Sequence, residues 1–182
     1  FEMLYNPAFF NKLVREHRAG VIKHEFYHLV LGHVSDRLPE GKMTRKWNIA
    51  SDLAINSHIA NELPDIACIP GRGPFADLPM YESAEWYYNN LPKKDDKNKG
   101  DGQGGDGQGD PGDGHGDSFD DHSGWGENAD KLDPTIREMA KERLREMMRD
   151  AAEQSNKSSQ GWGTIPQNIR KNILDRISGK ID

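Results

Sequence analysis

The chain has 182 residues, enough for one domain with a core of its own. It is 34% hydrophobic and 30% charged, with a mean hydropathy of -0.89, and its net charge of -6 argues against nucleic acid or an anionic membrane surface as the main partner. A single cysteine, Cys68, excludes a disulfide framework and a cysteine-built zinc site, and no run approaches the ~20 apolar residues of a membrane span.

Residues 1–5 are short, apolar and aromatic and suit an edge strand. Asn6-Pro7 reads as a helix start, with Asn as N-cap and Pro in the first helical position. Phe9, Phe10, Leu13 and Val14 carry that helix to about Arg18, and Gly20 punctuates it. A second helix is predicted over residues 21–34. It contains His24-Glu25-Phe26-Tyr27-His28, an HExxH string. Residues four apart share one helix face, so His24 and His28 can bind one metal ion. Glu25 is turned by about 100° from His24, which places it beside that metal as a general base for water. Val21, Ile22, Phe26, Leu29, Val30 and Leu31 surround the histidines on most sides and predict a buried helix. A buried histidine pair beside a glutamate is costly unless a metal binds it. His33 lies about 140° from His28 on a continuous helix and does not complete the longer HExxHxxGxxH signature. It reads as structural or as support for a ligand, although Gly32 could end the helix and swing it round.

After a turn at residues 38–42, Thr44 caps a helix from Arg45 to about Leu63, stopped by Pro64. Its apolar side is Ile49, Leu53, Ile59 and Leu63, with Ala50, Ala54 and Ala60 permitting close approach. Asp52 sits amid this apolar pattern, where it is unfavourable by propensity and costly if buried. A metal resolves both problems. The layout is similar to thermolysin-like zincins, which take a third, carboxylate ligand from a return helix and support a ligand histidine with a polar residue four positions on. Asp52 then reads as the third ligand and Asn56 as its hydrogen-bonding companion. The plainer alternative is a solvated helix-face Asp. His58 lies on another face and reads as surface. Residues 64–79 form a Pro/Gly-rich loop in which Cys68 reads as buried and inert. Met80 reads as core. Ser83 caps a helix ending near Leu91-Pro92, with Trp86, Tyr87 and Leu91 packing.

Residues 93–120 are Gly/Asp-rich and almost devoid of apolar side chains, so disorder is predicted there. Calcium-binding nonapeptides would need apolar residues that this tract lacks. In residues 118–125, His122 beside Asp121 could donate to the oxyanion of a tetrahedral intermediate, or it could be a surface histidine near a capping Asp. Asp133-Pro134 opens a long helix to about Gln154, whose Met stripe reads as core. A last helix spans residues 167–177.

Six strings together resemble one family. They are LYNPAFF, HEFYHLVLGH, WNIASDLAIN, SAEWYYNNL, DDHSGW and GTIPQNIRKNI, in this order along nearly the whole chain. The family is a metallopeptidase family of bacteria and phages, often joined to a von Willebrand factor A-like domain. The resemblance implies a zincin-like domain with one zinc ion on His24, His28 and Asp52, and Glu25 as base. It also implies that the chain is the N-terminal catalytic part of a longer protein. The start at Phe1 rather than Met separately reads as that of a fragment, from which an upstream segment could be missing. The Gly/Asp tract is an elaboration with no role assigned by the family.

The expected fold is therefore mainly α with a small β element, an α+β zincin-like domain in which the HExxH helix packs against a second ligand-bearing helix. Residues 1–92 would form the metal-binding catalytic core, 93–120 a disordered insertion, and 121–182 the C-terminal helical part of the same domain. The expected function is zinc-dependent peptide hydrolysis through a metal-bound water activated by Glu25, with His122 as a further catalytic candidate, on a peptide or protein substrate. A zinc hydrolase for non-peptide amides is a rival. Another is a catalytically silent, metal-stabilised module working with the A-like domain or a MoxR-type ATPase. No signal peptide is present, so the cytoplasm of a bacterial or phage-infected cell is the default location.

Overall fold

The computed structural model describes residues 3, 5–41, 43–92 and 133–180. The Gly/Asp-rich tract, His115 and the loop carrying His122 lie outside these residues. The described chain is mainly helical, as expected. Six α-helices follow in order: α1 (Pro7–Phe10), α2 (Arg15–Val30), α3 (Arg45–Ile59), α4 (Ala84–Asn90), α5 (Pro134–Lys157) and α6 (Gln167–Ile177). No strand occurs among the described residues. Met3 and Tyr5, in the stretch expected to form an edge strand, are exposed coil, and the Tyr5 ring packs edge-on against Phe10. No helix of the described residues is long and apolar enough to cross a membrane.

The first helix is shorter than its apolar pattern predicts. Asn6 caps it as expected, its Oδ1 accepting from Ala8 N at 2.9 Å. It ends after one turn, and the guanidinium of Arg18 donates to the carbonyls of Asn11 and Leu13 at 2.8 and 2.9 Å. These bonds satisfy backbone groups in the link, so α2 can begin at Arg15. Gly20 does not break the chain; it lies inside α2. A Cβ there would stand 2.0 Å from the carbonyl oxygen of Glu62. The glycine therefore serves a close crossing of α2 by the turn that follows α3. The Glu62 carboxylate strengthens the same crossing by accepting from Lys23 Nζ at 2.8 Å.

Helix α3 is the centre of the molecule. Eleven of its residues, from Trp47 to Ile59, are buried. Thr44 caps it, accepting from Trp47 N at 3.1 Å. On one side Ile55 and Ile59 join Tyr27 and Val30 of α2, Leu144 and Met148 of α5, and Ile169 and Ile173 of α6. On the other, Trp47, Ala50, Leu53 and Ala54 pack with Phe75, Ala84, Tyr87 and Leu91. Two apolar cores thus share one helix, and its spacing sets Asp52 and Asn56 between their two faces.

Two expected apolar faces turn out to be half open. On α2, Ile22 and Phe26 are 49% and 48% exposed, so the histidine face is buried while the opposite side meets solvent. On α5, Leu144, Met148 and Ala152 form a narrow stripe at i, i+4 and i+8, which leaves Met139 and Met147 pointing outward. Of the Met stripe, Met148 is core, whereas Met139 and Met147 are surface.

The end of α2 is held by charge. Asp36 accepts from Arg176 of α6 at 2.7 Å and from Lys141 of α5 at 2.9 Å, with the Arg176 and Asp36 side chains 7% and 11% exposed. Burial alone would raise the Asp36 carboxyl, but its bonds to Lys141 and Arg176 outweigh this and hold it below the ordinary value of 3.8. The contribution of a carboxyl lowered in this way is present above that value and lost as pH falls through the folded one. We therefore expect stability to fall on acidification below about pH 4. Asp36→Asn should cost about 3 kcal/mol at neutral pH and flatten that acid limb, as read by urea unfolding across pH. A second test concerns Gly20. In an ordinary helix Gly→Ala stabilises by about 1 kcal/mol. Here the backbone clash should win, and Gly20→Ala should destabilise by about 2 kcal/mol, seen as a lower thermal midpoint.

Candidate metal centre

The HExxH spacing works as helical geometry requires. His24 and His28, one turn apart on α2, turn their Nε2 atoms to within 3.0 Å of each other. Asp52 of α3 brings Oδ1 to 3.2 Å from His28 Nε2 and 3.6 Å from His24 Nε2. All three side chains are at most 1% exposed. Ligands about 2.0–2.1 Å from a tetrahedral ion stand about 3.3 Å from one another. The observed triangle of 3.0, 3.2 and 3.6 Å has that size, so the residues present fit one small ion. Among the described residues this is the one cluster of His, Cys, Asp or Glu that could hold a metal.

The orientation of His24 follows from a chain of hydrogen bonds. Asn56 Nδ2 donates to the backbone carbonyl of Cys68 at 2.8 Å. A carbonyl only accepts, so the amide nitrogen faces Cys68 and Oδ1 faces His24. His24 Nδ1 lies 2.7 Å from that oxygen and must be the donor. A neutral His24 then carries its proton on Nδ1 and leaves the Nε2 lone pair in the triangle. Asn56, expected as support four residues after Asp52, thus acts on a histidine of the other helix.

Glu25 stands next in sequence to His24 and outside the triangle. It is half-buried, in contrast to the fully enclosed atoms of the triangle. Cys68, partly buried near Asp52, is held in its thiol form. Burial, and after it the nearby negative charge of Asp52, push its thiol up to about 12.

His33 is not part of the triangle. Helix α2 ends at Val30, and Gly32 has φ +74°. His33 N donates to His28 O at 3.0 Å and Gly32 N to Leu29 O at 3.2 Å, the two bonds of a Schellman motif. The motif swings His33 back beside His28, their ring centroids 5.3 Å apart at 75°. His58 is not plain surface. It is half-buried beneath Tyr81, accepts at Nε2 from Asn168 Nδ2 at 2.9 Å, and is pushed down in pKa by burial. His122 lies outside the described residues. Sequence reasoning missed Trp47, whose Nε1 donates to His33 O at 2.9 Å. No spacing rule connects the start of one helix with the turn after another.

A family model described as "Putative metallopeptidase domain" matches residues 2–182. No curated protein and no solved structure matches the chain.

The tautomer argument gives a direct test. Asn56→Leu removes the acceptor that holds the proton on His24 Nδ1. It should weaken binding of added zinc by about 10–100-fold in a competition titration with a chromogenic chelator.

Proposed function

This chain belongs to the metallopeptidase family of that description, and from that premise we propose that it hydrolyses peptide bonds with zinc held by His24, His28 and Asp52. The observation that carries this reading is the buried triangle of two imidazole nitrogens and one carboxylate oxygen. Two nitrogens and an oxygen at tetrahedral spacing are a donor set that suits zinc, and three protein ligands leave a fourth position open. Zinc in such a site supplies Lewis acidity, lowering the pKa of water towards neutrality and polarising a carbonyl.

The chain's own residues divide the remaining work. Asp52 carries negative charge into the buried triangle and balances part of a cation's charge. Asn56 keeps the His24 lone pair available. Glu25 is the base. Its carboxylate takes a proton from the attacking water and returns it to the leaving amine. Its half-buried setting suits that task, because the group must reach both the enclosed ligands and an incoming substrate. In this reading the fold is zincin-like, with α2 as the motif helix and α3 as the return helix. His122 serves as a donor to the oxyanion that forms at the peptide carbonyl.

Two variants separate binding from chemistry. Glu25→Gln should retain stoichiometric zinc by elemental analysis and lose about 10²–10⁴-fold in cleavage of a denatured protein substrate. Asp52→Ala should lose the zinc itself. Wild-type turnover by Glu25→Gln would sink the mechanism.

A further inference from the structure

The two metal-facing rings are steadied in different ways. His24 is fixed by a hydrogen bond from its Nδ1 to Asn56. His28 instead meets the ring of His33, which is 1% exposed and stands edge-on to it. His33 is itself wedged. On its far side it packs edge-on against Trp47, with centroids 5.9 Å apart, and the Trp47 indole donates to the His33 carbonyl. The ring nitrogen has its own partner. Arg37 Nη1 lies 3.3 Å from His33 Nε2, and a guanidinium can only donate, so Nε2 is the acceptor there. The same Nη1 donates to Leu31 O at 3.3 Å, at the C-cap of α2. Arg37 is in turn held from outside by a two-pronged pair with Glu85 in the first turn of α4, with Nε–Oε1 at 2.8 Å and Nη2–Oε2 at 2.5 Å.

We propose that Arg37, anchored on Glu85, is a positioning residue for the metal centre, setting the His33 ring that in turn fixes the angle at which His28 presents Nε2. This inference rests on the zinc reading and adds a third helix to it. A surface ion pair alone would contribute little, since the Glu85 side chain is 49% exposed. What gives this one leverage is that the opposite edge of the guanidinium meets a buried ring in contact with a metal-facing histidine. The line runs Glu85, Arg37, His33, His28, so α4 takes part in a site whose three ligand atoms come from α2 and α3. The support resembles that of His24 in kind: an exposed or backbone anchor, a fork-shaped polar group, then an imidazole.

The test is a double-mutant cycle on the full chain. Arg37→Met, Glu85→Gln, His33→Phe and the double variant His33→Phe/Arg37→Met are compared by zinc competition with a chromogenic chelator, by visible absorption after cobalt substitution, and by the thermal midpoint of the metal-free protein. We expect Arg37→Met to weaken zinc about tenfold or more and to shift the cobalt spectrum. Glu85→Gln should do the same to a smaller degree, and Arg37→Met should add nothing further once His33 is Phe. Wild-type zinc affinity in both Arg37→Met and Glu85→Gln would overturn the proposal. So would an equal loss from Arg37→Met in the two His33 backgrounds, because the residue would then act by another route. A wild-type chain that takes up no zinc would overturn the underlying function as well, and that result is read before any variant is compared.

Discussion

A carboxylate buried between two imidazoles is the constraint from which much of this structure follows. Asp52 is 1% exposed in the middle of a helix that is otherwise core. A charge in that position demands compensation, and with the two nitrogens on α2 it outlines a place where a cation could supply it. Helices α2 and α3 must therefore cross at a distance and angle that keep three atoms within a few ångströms. Gly20 makes the approach feasible at one end of α2, where Glu62 passes over it. Asp36, Arg176 and Lys141 hold the other end.

The two apolar cores can be understood as the supports of that crossing. One joins α2, α3, α5 and α6, and the other joins α3 to α4 and the loop before it. A polar site at the edge of a single core would lie open to water. Here it lies along the seam between two cores, so His24, His28, Asp52 and Asn56 are all enclosed while Glu25 keeps partial access. The low local dielectric of such a seam strengthens hydrogen bonds such as Asn56 to His24.

What could be read from the sequence was whatever depended on local spacing. The i, i+4 histidines, the Thr44, Ser83 and Asp133 caps, and the misplaced Asp52 each carry their meaning within a few residues. The two histidines and Asp52 come together in one buried triangle that could hold a metal. The errors came where meaning depended on a distant segment. Gly20 resembled a helix breaker, because the carbonyl that requires it belongs to residue 62. Ile22, Phe26, Met139 and Met147 looked like core, because hydrophobicity says nothing about which side has a neighbour. His58 looked exposed, yet it is capped by Tyr81 and bonded to a residue 110 positions away.

Gly32 brings these threads together. Its positive φ closes the Schellman motif that returns His33 to His28, and its missing side chain leaves room for the Arg176 guanidinium, which a Cβ would approach to 2.3 Å. One position thus answers to both the candidate metal centre and the last helix. Arg176 and Asp36 are 140 residues apart, so this closure spans most of the polypeptide. Lys141 of α5 closes on the same carboxylate, so two distant helices share the fastening of the end of the histidine helix. The helix farthest along the described chain thus bears on the geometry of the helix that carries His24 and His28.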